Sequence, residues 1–321
     1  MAVIGDIIAD EFVYGRVARV SREAPVLILE YDSTQVVAGG GGNAANNVAA
    51  LGGSAALVGV IGRDEPGRRL LAALHRRVDP RGVVRPARRS TPVKTRILAG
   101  GIHSAKQQVV RIDRAVDQAL DARTRAAFER AVLAAVLRAD AVLLSDYGSG
   151  LVTPLLARRI RVALRPNPIP ILVDSRYALL GYRGLTACTP NESEVEQALG
   201  VRINDNAGVL ERAGRAILER TQSQAVLITR GSRGMALFVD RTPTVHIPIH
   251  GPDEIADVTG AGDTVMATLA LALATGASFE HAARLANVAG GLVVMKRGTA
   301  TVSGDELRAA VRGSRTGSAR G

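Results

Sequence analysis

A run of nine residues, Asp257 to Val265 (DVTGAGDTV), sets two glycines and an alanine before an aspartate and a long apolar stretch. Gly260, Ala261 and Gly262 would present successive backbone N–H groups at the start of the helix DTVMATLALALATG. A helix N-terminus of that kind stabilises concentrated negative charge. Asp263 falls in the same turn, where its carboxylate could accept a proton from an attacking hydroxyl. Phosphoryl transfer asks mainly for such positioning, for charge stabilisation and for a carboxylate that orients the nucleophile. The alternative makes Asp263 an N-terminal cap. It is weakened because Thr259 could already cap, and because an unpaired carboxylate in a buried apolar helix is costly.

Three further stretches fit the same chemistry. In GGGGNAANNVAALG (Gly39 to Gly52), glycines before an alanine-rich helix let the backbone approach a ligand without Cβ obstruction. A plain hinge would also use them, but Asn43 and Asn47 add polar groups near the helix start. The stretch is not a G-x-G-x-x-G dinucleotide fingerprint, and no G-x-x-x-x-G-K-S/T cradle occurs. In TPNESEVE (Thr189 to Glu196) a strand ends, Pro190 turns the chain, and Asn191 and Glu194 meet around the first helical turn. Hard oxygen donors there suit a hydrated Mg²⁺; the structural alternative is Asn191 as N-cap, with Glu192 and Glu194 complementing the helix dipole. In TRGSRGM (Thr229 to Met235), a hydroxyl and spaced glycines after the strand AVLI can wrap a phosphate or make a tight turn.

The rest of the chain must position these groups. Its 321 residues, 47% hydrophobic, can bury the core of one large α/β domain. The opening AVIGD reads as a short buried strand. From residue 120 onward helices (123–138, 153–165, 192–199, 206–221) alternate with the apolar strands AVLLSD, PILVD, LTAC and AVLITRG, and a hairpin-like pair, GMALFVD and PTVHIPI, follows. That alternation argues for a parallel sheet covered on both faces. Two early extended segments, APVLILEYDSTQVV and TPVKTRILAGGIHSAKQQVVRID, break the pattern and are expected to form a small β-sheet lid.

Composition excludes several function classes. No uninterrupted apolar run of about 18 residues appears, and MAVIGDIIAD lacks a basic leader region, so no membrane partner and a cytoplasmic location are expected. Cys188 is the single cysteine, which fits a reducing compartment. His246 and His250 are separated by a Pro-containing extended stretch, with no cysteine pair to complete a zinc signature. The formal charge of +11 rests on dispersed arginine, with only Lys94, Lys106 and Lys296 as lysines, and aromatics make up 3%. No nucleic-acid partner is expected from so weak a footprint, though a basic surface attracts anionic substrates.

The four stretches, in this order, resemble the ribokinase-like (PfkB) carbohydrate kinases, whose C-terminal signature DVTGAGDTV matches. The resemblance implies a three-layer α/β/α sandwich with a mostly parallel central sheet and a small β-sheet lid. The kinase domain would span residues 1–311, with lid strands from about 12–38 and 92–113, and the apolar-poor residues 312–321 are expected to be a disordered tail. Asp263 would be the catalytic base, with Gly260, Ala261 and Gly262 as an anion hole. ATP and Mg²⁺ are the implied cofactors. Asn191 and Glu194 would organise the metal mainly through water, and Thr229, Gly231, Gly234, Asp257 and Asn287 would hold the nucleotide. Asp10, Gly39, Gly40, Gly41 and Asn43 match the sugar-hydroxyl site, and Ala300 to Ser303 could line a K⁺ site by analogy.

Four more segments, RVARVSREAPVLIL, TPVKTRIL, KQQVVRID and LSDYGSGLVT, are similar to kinases of D-glycero-D-manno-heptose 7-phosphate. Those enzymes phosphorylate the C1 hydroxyl to give the 1,7-bisphosphate. The similarity implies Lys94, Arg96, Gln108 and Asp146 at the substrate, with Arg111 a further candidate for its anionic end. Ser149 stands where those kinases usually carry Lys, and Ser175–Arg176 stand where Pro-Lys is usual, leaving Arg176 as a cation of different geometry. Another sugar of the same family and a catalytically idle sugar sensor are the alternatives. A sensor would need neither Asp263 nor the Asn191/Glu194 pair. The sequence ends at Gly321 without the nucleotidyltransferase domain of bifunctional relatives, so a kinase-only form is expected. A homodimer through the lid would cover an apolar face of its strands.

Overall fold

The computed structural model describes residues 1–100, 106–115, 119–251 and 257–317. Strand β8 (Val142–Asp146) shows how the apolar runs build the body. Val142 and Leu144 enter one hydrophobic core and Leu143 the other, so the period-two alternation of a strand makes both faces of the sheet apolar. Helices must then cover both faces. Helices α3 (Ala122–Val136), α4 (Pro154–Ala163), α5 (Glu192–Leu199) and α6 (Ala207–Thr221) cover one. Helices α1 (Gly41–Ala50), α2 (Glu65–Ala72), α7 (Ala261–Ala274) and α8 (Phe279–Val293) cover the other.

The central sheet joins β8 to β1 (Ala2–Gly5), β4 (Ala55–Val60), β5 (Val78–Val84), β9 (Ile171–Ser175), β10 (Ala187–Cys188), β11 (Ala225–Thr229), β12 (Met235–Val239) and β13 (Val245–Ile247). Its order is β13-β12-β11-β10-β9-β8-β1-β4-β5, parallel except at the β11–β12–β13 edge. The lid is a second sheet of β2 (Ile7–Val20), β3 (Leu27–Gly40), β6 (Val93–Gly100) and β7 (Gln107–Arg114), in the order β3-β2-β6-β7. This is the expected three-layer α/β/α sandwich with a small β lid.

Three details differ from the sequence expectation. The lid begins at Ile7 and runs to Gly40, beyond the expected 12–38, because the chain passes from β1 into β2 across Asp6 alone. The edge strand β5 was not expected; it carries Pro80, which an edge position tolerates and a central one does not. Helix α9 (Gly304–Gly317) extends into the expected tail. A reciprocal cap starts it, the Glu306 amide donating to Ser303 Oγ and the Ser303 amide to the Glu306 carboxylate. The rest of that tail, residues 318–321, and residues 101–105 of the expected lid segment lie outside the described residues.

The parallel register brings the carboxyl ends of β1, β8, β9, β10 and β11 to one edge of the sheet, where α/β folds bind ligands. Helices α1 and α7 start there. Close packing at Gly5 sets the first of these starts: a Cβ on Gly5 would lie 2.8 Å from Ser145 Cβ, 2.9 Å from Ser145 O and 3.2 Å from Gly41 Cα. Two of those neighbours are backbone and cannot yield cheaply. Gly5→Ala should therefore cost about 1–3 kcal/mol in urea unfolding and displace the α1 N-terminus; unchanged stability would contradict this packing.

Candidate active site

Asp263 is 4% exposed, in the first turn of α7. It does not cap the helix: Gly260 is the N-cap, in the left-handed region (φ 78°), with no side-chain capping bond. The carboxylate faces across to α1, where Asn43 Nδ2 donates to Oδ2 at 2.8 Å. Tyr147, just after β8, donates its hydroxyl to Oδ1 at 3.4 Å. Asn43 is fixed in turn, since Asn47 Nδ2 donates to Asn43 O (3.0 Å) and Oδ1 (3.2 Å), and Thr264 Oγ donates to Asn47 Oδ1 (2.8 Å). Burial raises the Asp263 pKa to about 7, opposed chiefly by the Asn43 hydrogen bond and reinforced by Asp10. A carboxylate so poised suits general-base work near neutral pH.

Of the expected anion hole, one amide is already used: Ala261 N–H donates to Val258 O at 3.2 Å. The Gly262 and Asp263 amides have no backbone acceptor among the described residues, as the first turn of a helix dictates. Gly262 and Asp263 line a cleft of about 390 Å³.

That cleft receives the expected sugar-site residues unevenly. Asp10, 6% exposed, accepts from Arg96 Nη1 at 2.6 Å and from Thr299 Oγ at 3.3 Å. Gly39 gives the Asp10 carboxylate room, since a Cβ there would collide with it, and Gly40 lines the cleft beside Gly41. Lys94 lies with Nζ 5.0 Å from the Tyr147 ring centroid, its pKa lowered by burial against the opposing pull of Asp10. Asp146 reaches the wall, but its oxygens are already engaged by the Ser175 hydroxyl (2.7 Å), the Tyr182 hydroxyl (2.7 Å) and the Gly148 amide (3.0 Å). It holds the wall together. Gln108 is not in this cleft; it lies on exposed β7 and lines a separate cavity of about 730 Å³ beyond Arg96.

At the other end, Asn191 and Glu194 form a capping box. The Glu194 amide donates to Asn191 Oδ1 (2.9 Å) and the Asn191 amide to Glu194 Oε2 (2.9 Å). The capping alternative is thus realised, yet both side chains also line the cleft. Asp174, at the end of β9, was missed; the only signal was a carboxylate closing the apolar strand PILVD. Its pKa is raised well above the carboxylate range by burial, then by Glu194, Asp263 and Asp146. Among the described residues no three acidic, His or Cys side chains converge into a metal cage. Separated hard-oxygen groups of one sign, Asp174 and Glu194, fit a divalent cation that keeps most of its water.

Thr229, Gly231, Gly234 and Asn287 line a neighbouring cavity of about 390 Å³ together with Gly262, which it shares with the cleft. Met235, Ile249, Val265 and Val294 supply its apolar walls, as a nucleoside would require. Asn287 Nδ2 donates to Pro248 O at 2.8 Å. Arg230 pairs with Glu192 at 2.7 Å, and Arg233 pairs with Glu192 as well, pinning the glycine turn to the start of α5. Asp257 stands apart from this cavity: its carboxylate accepts the amides of Thr259 (2.9 Å) and Gly298 (3.0 Å) and lines the Gln108 cavity. In the expected K⁺ loop, Lys296 Nζ donates to Thr301 O at 2.7 Å and Ser303 caps α9, so two of its oxygens are already engaged.

A family profile described as pfkB family carbohydrate kinase matches residues 2–305, and the chain belongs to that family. The bifunctional protein HldE of Geobacter metallireducens is 43% identical over 307 residues, covering 95% of this chain and 61% of that protein. The HldE of Caulobacter vibrioides is 42% identical over 316 residues, covering 96% and 62%. The chain thus spans about three fifths of the length of these curated relatives. The solved structure of Arabidopsis thaliana ribokinase complexed with ribose and ATP matches with a TM-score of 0.74 at 21% identity, covering 97% of this chain and 98% of that one. Escherichia coli phosphofructokinase-2 in complex with fructose-6-phosphate matches with a TM-score of 0.73 at 18% identity, covering 96% and 97%. The fold is ribokinase-like, and the family is one of carbohydrate kinases.

The raised pKa of Asp263 has a cost in stability. The unfolded chain releases this proton near the ordinary value of 3.8, whereas the folded protein keeps it to about 7. Between those values the native state binds the extra proton, so this group lowers stability as pH rises through the window. Asp263→Asn should stabilise the ligand-free protein at pH 8 by up to about 4 kcal/mol and change it little at pH 4. Thermal unfolding at both pH values checks this; an equal effect at both would contradict it.

Proposed function

We propose that the sugar is D-glycero-D-manno-heptose 7-phosphate and that the γ-phosphoryl group of ATP is transferred to its C1 hydroxyl. The observation that carries this reading is a second, basic cavity of about 320 Å³ that adjoins the cleft and shares Lys94, Arg111, Tyr147 and Arg176 with it. Arg89 and Arg114 add two more cations, against Asp6 and Asp113. A substrate with a reacting hydroxyl at one end and a phosphate at the other suits such a pair of cavities. The two departures from the heptose-kinase pattern are compatible with it. Ser149 gives its hydroxyl to Asp6 and Ser175 gives its own to Asp146, while Arg89 and Arg176 provide positive charge in the same cavity.

In this mechanism Lys94 and Arg176 hold the anionic end, and the C1 hydroxyl faces Asp263. The carboxylate takes the hydroxyl proton as the oxygen attacks phosphorus. The Gly262 and Asp263 amides and the positive end of α7 face the charge that develops on the transferred group. Asn191, Glu194 and Asp174 would hold hydrated Mg²⁺, which when bound neutralises charge on the ATP phosphates. Thr229, Gly231 and Gly234 would hold the nucleotide phosphates, with Asn287 at the edge of the base pocket.

No helix among the described residues is long and apolar enough to cross a membrane, and a cytoplasmic location is part of the proposal. So is a homodimer, because Val109, Val110 and Ile112 of β7 and Val17 and Val20 of β2 are exposed on the lid.

A panel of sugars and sugar phosphates, with ADP release as readout, tests the substrate. Heptose 7-phosphate should be turned over, with a second phosphorus resonance coupled to the anomeric carbon. Turnover of another sugar alone would overturn the assignment. Arg176→Met should raise KM for the sugar phosphate about tenfold or more and leave KM for ATP unchanged. A KM effect confined to ATP would contradict the basic cavity as the phosphate site.

A further inference from the structure

Tyr147 lies within the segment LSDYGSGLVT but carries no role in the site described above, yet it is built into position from several sides. The chain leaves β1 through Asp6, which is 5% exposed. Asp6 Oδ2 accepts the amides of Tyr147 (2.8 Å) and Ser149 (3.3 Å), and Oδ1 accepts the Ser149 hydroxyl. One buried carboxylate therefore pins the turn that follows β8. Gly148 (φ 86°) and Gly150 (φ 76°) give that turn the left-handed residues it needs. At Gly148 a side chain is also excluded by the Tyr177 ring, 2.6 Å from where a Cβ would sit.

The pinned turn directs the Tyr147 ring into the wall between the cleft and the basic cavity. Its edge lies against Gly40, where a Cβ would be 3.5 Å from Cε2, and Lys94 Nζ sits 5.0 Å from the ring centroid. The hydroxyl ends 3.4 Å from Asp263 Oδ1, while Asn43 holds Oδ2. Each carboxylate oxygen thus has one donor and keeps a lone pair for an incoming hydroxyl.

We infer that Tyr147 is a positioning residue that, with Asn43, fixes the Asp263 carboxylate in the orientation that receives the acceptor proton. The inference rests on Asp263 being the base. The Tyr147 phenol keeps its proton throughout the working range: its pKa is raised well above 10, first by Asp263 and then by burial. It is a donor only, as a carboxylate that must stay free to accept a proton requires. The charged and titratable groups facing Asp263 are Tyr147 after β8, Asp10 from β2, Lys94 from β6 and Asp174 from β9, with neutral Asn43 from α1. Of these, Tyr147 and Asn43 are its hydrogen-bond donors. Loss of the phenolic donor destabilises the ionised form.

The test is the pH dependence of kcat/KM for the sugar in two variants of the full chain. Tyr147→Phe removes the hydroxyl and keeps the ring, and should move the acid limb upward by about half to one pH unit with KM for ATP unchanged. A ring-fluorinated tyrosine at position 147 is a stronger donor and should move the limb downward. An acid limb that stays in place in both variants, or moves the same way in both, would overturn the role of Tyr147. Failure of the underlying assignment looks different: the acid limb of the parent protein would then persist in a still-active Asp263→Asn variant.

Discussion

One carboxylate, buried at the positive end of an apolar helix, organises this molecule. Asp263 is almost wholly buried, so much of its charge must be met by protein donors, and those donors lie on separate elements. Asn43 comes from the start of α1 and Tyr147 from the turn after β8. To bring α1 against α7, the chain uses glycine and alanine at the contact, and to set the α1 start it crowds Gly5 against Gly41. Requirements of packing and of chemistry therefore coincide at the carboxyl edge of the sheet.

The same edge gathers charge that no folding argument would favour. Asp6, Asp174, Glu194 and Asp263 all have raised pKa values, with burial the largest cause at each. Lys94 is likewise pushed down by burial. A site of this kind gives up stability to hold unlike functions side by side. Carboxylates gather at the proposed metal and base positions, cations gather at the lid, and within the lid the Asp10–Arg96 pair ties β2 to β6. Binding of a cationic metal and an anionic substrate would relieve both excesses.

Much of this was legible in the sequence because it is local. The alternation of apolar strands and helices, the glycine runs and the Asn191/Glu194 spacing each report on a few adjacent residues. What escaped depends on distance along the chain. Asp263 and Asn43 are 220 residues apart, so their bond has no sequence signature. Asp174 looked like the end of a strand, and Tyr147 like part of a turn. Gln108 and Asp257 sit close in sequence to site residues but face another cavity. For Asn191 the two alternatives did not compete, because one side chain can cap a helix and still line the cleft. Helix α9 reached into the expected tail because its reciprocal cap is a local signal that composition alone conceals.

The central claim is that the Asp263 carboxylate accepts the proton of the attacking hydroxyl. Single-turnover phosphoryl transfer in Asp263→Asn, at saturating ATP and sugar, tests it most directly. The rate should fall by about 10²–10⁴-fold, with ATP affinity unchanged, because the nucleotide cavity does not depend on the carboxylate. A transfer rate within a few-fold of the parent protein would contradict the account.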